Sequence, residues 1–141
     1  MLLQGMGQLE AARPYYERSL AIRERALGPD HPDTAGSLNN LGYLLRAMGQ
    51  LEAARPYFER SLAIREKALG SDHPDTAQSL NNLAILAYYQ RDLTTAAQLM
   101  RRALTIREQR LGPDHPDTQS SRESLAVIES SMNRKWWQFW R

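Results

Sequence analysis

Cysteine is absent from the 141 residues. That excludes disulfide staples, thiolate nucleophiles and cysteine-ligated zinc, and it leaves the compartment open. Charge of one sign is not in excess either. The 18 basic and 16 acidic side chains leave a net +2, so no strong pull on nucleic acid follows and no nucleic-acid partner is expected. No apolar run approaches the roughly 20 residues of a membrane span, which excludes stable membrane insertion by a helix. The first residues, Met1-Leu2-Leu3-Gln4-Gly5, lack the basic flank and apolar stretch of a secretory signal, and a cytoplasmic location is expected. What remains, 42% hydrophobic and 24% charged, is the composition of a folded protein.

What is present is repetition. The stretch Gly70-Ser71-Asp72-His73-Pro74-Asp75-Thr76, followed by Ser79-Leu80-Asn81-Asn82-Leu83, occurs nearly unchanged 42 residues earlier at Gly28 to Leu41. Its first part returns 42 residues later as Gly112 to Thr118. A fixed period of this length points to stacked supersecondary units. Units 6–47 and 48–89 match at 33 of 42 positions. Unit 90–131 diverges more but keeps Leu93, Ala96, Leu104, Ile106, Arg107, Glu108 and Leu111. Residues 1–5 align with the last turn of a preceding short helix, and 132–141 leave the pattern.

Each unit reads as two helices. The shorter spans about 32–48 and 74–90, with Leu38, Leu41, Gly42 and Leu45 on one face and Leu80, Leu83, Ala84 and Ala87 repeating them. Proline suits the first turn, where its missing N–H had no partner. Asp33 there complements the helix dipole, and either Asp30 or His31 serves as N-cap. Gly49 ends the element in the left-handed conformation. The longer helix spans about 51–69, with Leu51, Ala54, Phe58, Leu62 and Leu69 as its stripe, widened by Ile64 and Ala68. Arg55 and Glu59 can pair on its wet face. Pro56 removes a bond to the Glu52 carbonyl and predicts a bend. In the third unit Arg91 replaces the turn glycine, at about 1 kcal/mol if the left-handed geometry is kept. Gln98 replaces the proline, and Arg122 stands where Leu38 and Leu80 stood.

These positions resemble the tetratricopeptide repeat (TPR). The short helix A carries Leu38/Leu80, Leu41/Leu83 and the small Gly42/Ala84; the long helix B carries Ala54/Ala96, Phe58/Met100 and the small Ser61/Ala103. The period is 42 where the common form has about 34, and the longer form is similar to kinesin light chain-type repeats and to arrays in bacterial signalling proteins. The resemblance implies an all-α, TPR-type α-solenoid of antiparallel helix pairs, about three repeats wound into a right-handed superhelix. It also implies a concave groove, lined by the short helices, that takes a partner peptide or protein. Its positions fall here on Gly36, Asn39, Asn40, Tyr43 and Arg46, then on Gln78, Asn81, Asn82, Ile85, Tyr88 and Tyr89. Helical spacing independently places 36, 39, 40, 43 and 46 opposite Leu38, Leu41 and Leu45. An asparagine amide both donates to and accepts from a peptide backbone. Two roles stay open for the pairs Asn39-Asn40 and Asn81-Asn82: groove contact, or a bond to a neighbouring helix. Tyr88 and Tyr89 can equally pack on the next repeat. Gly36 and Gln78 stand where chaperone-binding members carry a carboxylate-holding lysine, so that clamp is not expected.

The one constellation that suggests chemistry is Asp-His-x-Asp, present once per unit. Packed helices lie about 8–10 Å apart, so successive histidines cannot share a metal with bonds of about 2 Å. Capping accounts for them. No phosphate loop, HExxH, nucleophile elbow or EF-hand pattern occurs. The chain is therefore expected to be a protein–protein interaction scaffold without catalytic activity, metal or cofactor. The alternatives are a self-assembling module pairing through its array ends, or the non-catalytic repeat region of a larger signalling ATPase. The tail Met132 to Arg141 holds all three tryptophans. Leu125, Ile128, Met132, Trp136 and Phe139 continue one helical stripe, which favours an end cap over a membrane or partner anchor.

Overall fold

The amphipathic periods resolve into six helices in a computed structural model that describes the backbone of residues 3–139 and the side chains of residues 5–134. They are α1 (Leu3–Leu27), α2 (Pro32–Ala47), α3 (Leu51–Leu69), α4 (Pro74–Tyr89), α5 (Leu93–Leu111) and α6 (Pro116–Phe139), and no strand occurs among the described residues. Met1, Leu2, Trp140 and Arg141 lie outside the described residues, as do the side chains of Trp136, Trp137 and Phe139, so the aromatic cover expected there is not placed.

The links decide where helices stop and start. Each short helix begins with proline at its first turn, and the cap is histidine rather than aspartate. His31 Nδ1 accepts the Asp33 amide at 3.0 Å, and His73 and His115 repeat the bond with Asp75 and Asp117. Because Nδ1 is the acceptor, the 4.0 Å approach of Asp33 Oδ2 to the same nitrogen is not an ion pair. Thr34 ties the link down by donating to the Gly28 carbonyl at 2.8 Å. At the other end, Gly49 at φ +80° donates to Arg46 O and Gln50 donates to Leu45 O, the paired bonds of a Schellman stop. Arg91 holds the equivalent place at φ +64°, with Arg91 N to Tyr88 O and Asp92 N to Ala87 O. The left-handed geometry is thus kept without glycine. Asp92 then caps α5 by accepting the Thr95 amide at 3.4 Å.

The chain divides into two compact units, residues 1–71 and 72–141. The boundary falls inside the Gly70 to Thr76 link. No break falls at 131/132, because α6 runs through both residues. In the first unit α2 packs against both α1 and α3. Its leucines 38, 41 and 45 are buried together with Ala54 and Phe58 of α3. Each buried leucine or phenylalanine side chain contributes about 1.5–3 kcal/mol on leaving water. The contact is closest at Gly42, where a Cβ would lie 2.9 Å from the Phe58 ring. In the second unit α5 packs against α4 and α6. There the corresponding pair is Ala84 and Met100, both fully buried: one methyl more on the short helix and a flexible chain in place of the ring. Ser61 donates to the Ala35 carbonyl at 2.9 Å across α3 and α2. α3 continues through Pro56, and Arg55 and Glu59 approach to 3.8 Å on its surface.

Two expectations are corrected. Residues 3–5, read as the end of a short helix, belong to α1, which runs unbroken through Gly7, the counterpart of Gly49. Ala68 does not widen the buried stripe of α3; it is exposed. The last helix, α6, departs from α2 and α4 on one face. The positions that are Ala35, Leu38, Gly42 and Leu45 in α2, and Ala77, Leu80, Ala84 and Ala87 in α4, become Gln119, Arg122, Ala126 and Glu129, all exposed. Ile128 is buried, in the unit where α6 packs on α5.

Candidate partner-binding faces of the short helices

The short helices carry every residue singled out for the groove, and the two units are described separately. On α2 the buried side is Thr34, Ala35, Ser37, Leu38, Leu41, Leu44 and Leu45. Asn40 and Tyr43 stand exposed on the other side, Tyr43 by 54%, and the Arg46 guanidinium lies 5.0 Å from the Tyr43 ring centroid. That stacking holds a planar cation and a ring together as one amphipathic surface. Gly36 is half-buried, with a Cβ position 3.9 Å from Arg65 Nη2. Asn39 is buried at 6% exposure, so spacing alone placed it too far toward solvent.

On α4, Gln78 is exposed, Asn82 and Ile85 are half-buried, and Tyr88 meets Tyr89 edge-on at 5.7 Å, with Tyr89 the more exposed. Asn81 does not face outward alone. Its Oδ1 accepts from Arg107 Nη1 at 3.4 Å and from Ser121 Oγ at 3.2 Å. Of the two roles left open, Asn81 takes the structural one; Asn39 is buried, and Asn40 is the member exposed to solvent.

The residue that draws Asn81 inward was not singled out from the sequence. Arg107, near the end of α5, is buried. It donates from one nitrogen to Asn81, to the Asp117 carbonyl at 3.3 Å and to Ser121 Oγ at 2.8 Å, linking α4, α5 and α6. Burial pushes its guanidinium below the ordinary value, and the Asp117 carboxylate counters that in part. Arg23, itself exposed, makes two of these bonds in the first unit, donating to Asp33 O at 3.2 Å and to Ser37 Oγ at 2.8 Å. The signal was legible: Ile22-Arg23-Glu24, Ile64-Arg65-Glu66 and Ile106-Arg107-Glu108 recur at the repeat period. Among the described residues no three His, Asp or Glu side chains gather as a metal set, and no helix is long and apolar enough to cross a membrane.

These features can be compared with known proteins. No curated protein matches the chain. The structure of BtubC (BKLC) from P. vanneervenii is similar at a TM-score of 0.82 and 25% identity, over 90% of this chain and 51% of that one. Two crystal structures of a kinesin light chain-like protein from Podosopora anserina, built of nearly identical TPR-like repeats, are similar at a TM-score of 0.81 and 29% identity, over 89% of this chain and 59% of theirs. The chain thus spans only half to three-fifths of the length of these relatives. They share its all-α repeat fold, which is that of a TPR-type solenoid. The family model described as tetratricopeptide repeat matches residues 1–67 and again 33–109. With its repeats of the kinesin light chain type, the chain belongs to the tetratricopeptide repeat family.

Proposed function

We propose that the chain is a protein–protein interaction scaffold that takes a partner peptide or protein on the exposed faces of its short helices. TPR folds generally mediate protein–protein interaction; the faces assigned here are this chain's own. The observation that carries the assignment is the surface of α2. Asn40, Tyr43 and Arg46 share one side of a helix whose other side is closed by buried leucines. The asparagine amide supplies a donor and an acceptor for a peptide backbone. The tyrosine, stacked with the arginine, supplies rigid area that loses little entropy on binding. On α4 the outward positions are Gln78, Asn82, Ile85, Tyr88 and Tyr89, a more apolar surface that favours a different side chain on the bound segment. No catalytic step, metal or cofactor enters this reading.

The test starts from peptides selected from a random displayed library against the intact chain. Asn40→Ala with Asn82→Ala is expected to weaken the selected peptides about tenfold or more, which corresponds to about 1.4 kcal/mol. Helix content by circular dichroism should stay unchanged. Unaltered affinity in the double variant would remove the assignment.

A further inference from the structure

The structural role of Asn81 uses one end of its amide and leaves the other. The Arg107 guanidinium and the Ser121 hydroxyl both meet Oδ1, at 3.4 and 3.2 Å. A guanidinium offers only donors, so the oxygen must stand on that side; the flipped amide would set N–H against N–H. Ser121 Oγ accepts from Arg107 Nη1 at 2.8 Å, and its own hydrogen goes to the same Oδ1. The amide is thus oriented from inside the unit, by side chains of α5 and α6.

The other end is Nδ2. Both hydrogen bonds of the Asn81 side chain end on Oδ1. Among the described residues no buried side-chain nitrogen lacks a partner, so Nδ2 of this half-buried residue reaches the surface. Gln78 and Ile85 stand three residues before Asn81 and four after it, which puts the nitrogen on the same stripe of α4 as these outward positions.

We infer, on the reading that the outward side of α4 binds a partner, that Arg107 is a positioning residue: it holds the Asn81 amide so that a bound segment meets its two N–H donors alone and places a carbonyl oxygen there. The exposed Asn40 has no such tether among the described residues and can turn either end to a peptide. Asn81 cannot, and takes nothing from a peptide N–H. A donor pair set in advance loses less freedom on binding than an amide that must be ordered. The bonds arriving at Oδ1 also polarise the amide and strengthen its N–H groups as donors.

Asn81→Asp tests the polarity. The carboxylate keeps the shape of the side chain and still accepts from Arg107 and Ser121, now as a charge pair, so the melting temperature should hold or rise. Both N–H donors are replaced by an acceptor. Affinity for peptides selected against the intact chain should fall about tenfold. An asparagine that served the fold alone would leave affinity at the parent value. A scan of one selected peptide, ester for amide at each bond in turn, reads the carbonyl itself, because an ester carbonyl is the weaker acceptor. One position should weaken binding to the parent chain about fivefold and leave binding to Asn81→Asp unchanged. Arg107→Met removes the hold and keeps an apolar stem. It should weaken binding to the parent chain and add nothing in the Asn81→Asp background, whereas general loosening of the unit would add in both. If Arg107→Met does not fold, the other two measurements decide. Parent-like affinity of Asn81→Asp overturns the inference, as does an ester scan in which no position depends on residue 81. Asn40→Ala with Asn82→Ala separates the two levels. If that pair weakens binding and Asn81→Asp does not, the faces bind and the polarity assigned to Asn81 is wrong. If neither weakens it, the faces themselves are not the site.

Discussion

At the scale of single residues, the contact between Gly42 and Phe58 shows how equivalent positions of successive repeats can differ in a coordinated way. The glycine leaves room for a rigid ring, and its counterpart Ala84 is matched with the flexible Met100. Two single changes are thus one paired choice. Gly42→Ala should gain up to about 1 kcal/mol in helix propensity. It should lose about 1–3 kcal/mol by overpacking against the ring. We expect a net loss in urea denaturation. Adding Phe58→Met should recover stability beyond the sum of the two single changes, with a coupling of about 1 kcal/mol. Strict additivity would mean that the ring moves aside without strain. The histidine caps belong to this scale as well. The three links place the same Nδ1 at the same distance from the same amide, so a residue type that elsewhere suggests metal or proton chemistry serves here as a helix start.

At the scale of elements, the turn between α4 and α5 tests how far a helix stop depends on glycine. Arg91 keeps φ at +64° and both bonds of the stop. A side chain in that conformation costs about 1–2 kcal/mol, while glycine would lose more backbone entropy on folding. Arg91→Gly should therefore stabilise the chain by about 0.5–1 kcal/mol, seen as a higher denaturation midpoint with an unchanged slope. Most boundaries were legible in the sequence because proline, glycine and the apolar period agree on them. The short helices end within a residue of where Pro32, Gly49 and Pro74 place them. The first helix differs: Gly7 carries the same glycine signal as Gly49, yet α1 runs through it. The candidate site was half legible. The exposure of Asn40 and Tyr43 follows from spacing alone, whereas the burial of Asn39 does not, nor does the placement of Asn81, which depends on a buried arginine from another helix. A period of 3.6 residues says which side of a helix a residue occupies. It does not say what reaches over from next door.

At the scale of the whole molecule, the two terminal helices differ in kind. α1 keeps the residues of an internal long helix, and α6 replaces the internal pattern with Gln119, Arg122 and Glu129. Gln119→Ala, Arg122→Leu and Glu129→Ala together give α6 the contact pattern of α4. The apolar surface added to an exposed face should make this variant form larger species than the parent chain as concentration rises in light scattering. The polar face of α6 also bears on how such a gene can lengthen. A duplicated copy of the last unit would set an arginine and a glutamate against the helix placed after it, whereas a copy made further upstream meets an interface that already exists. The 33 matches in 42 positions between the first two units, against the divergent third, are what a recent duplication of that upstream stretch would leave.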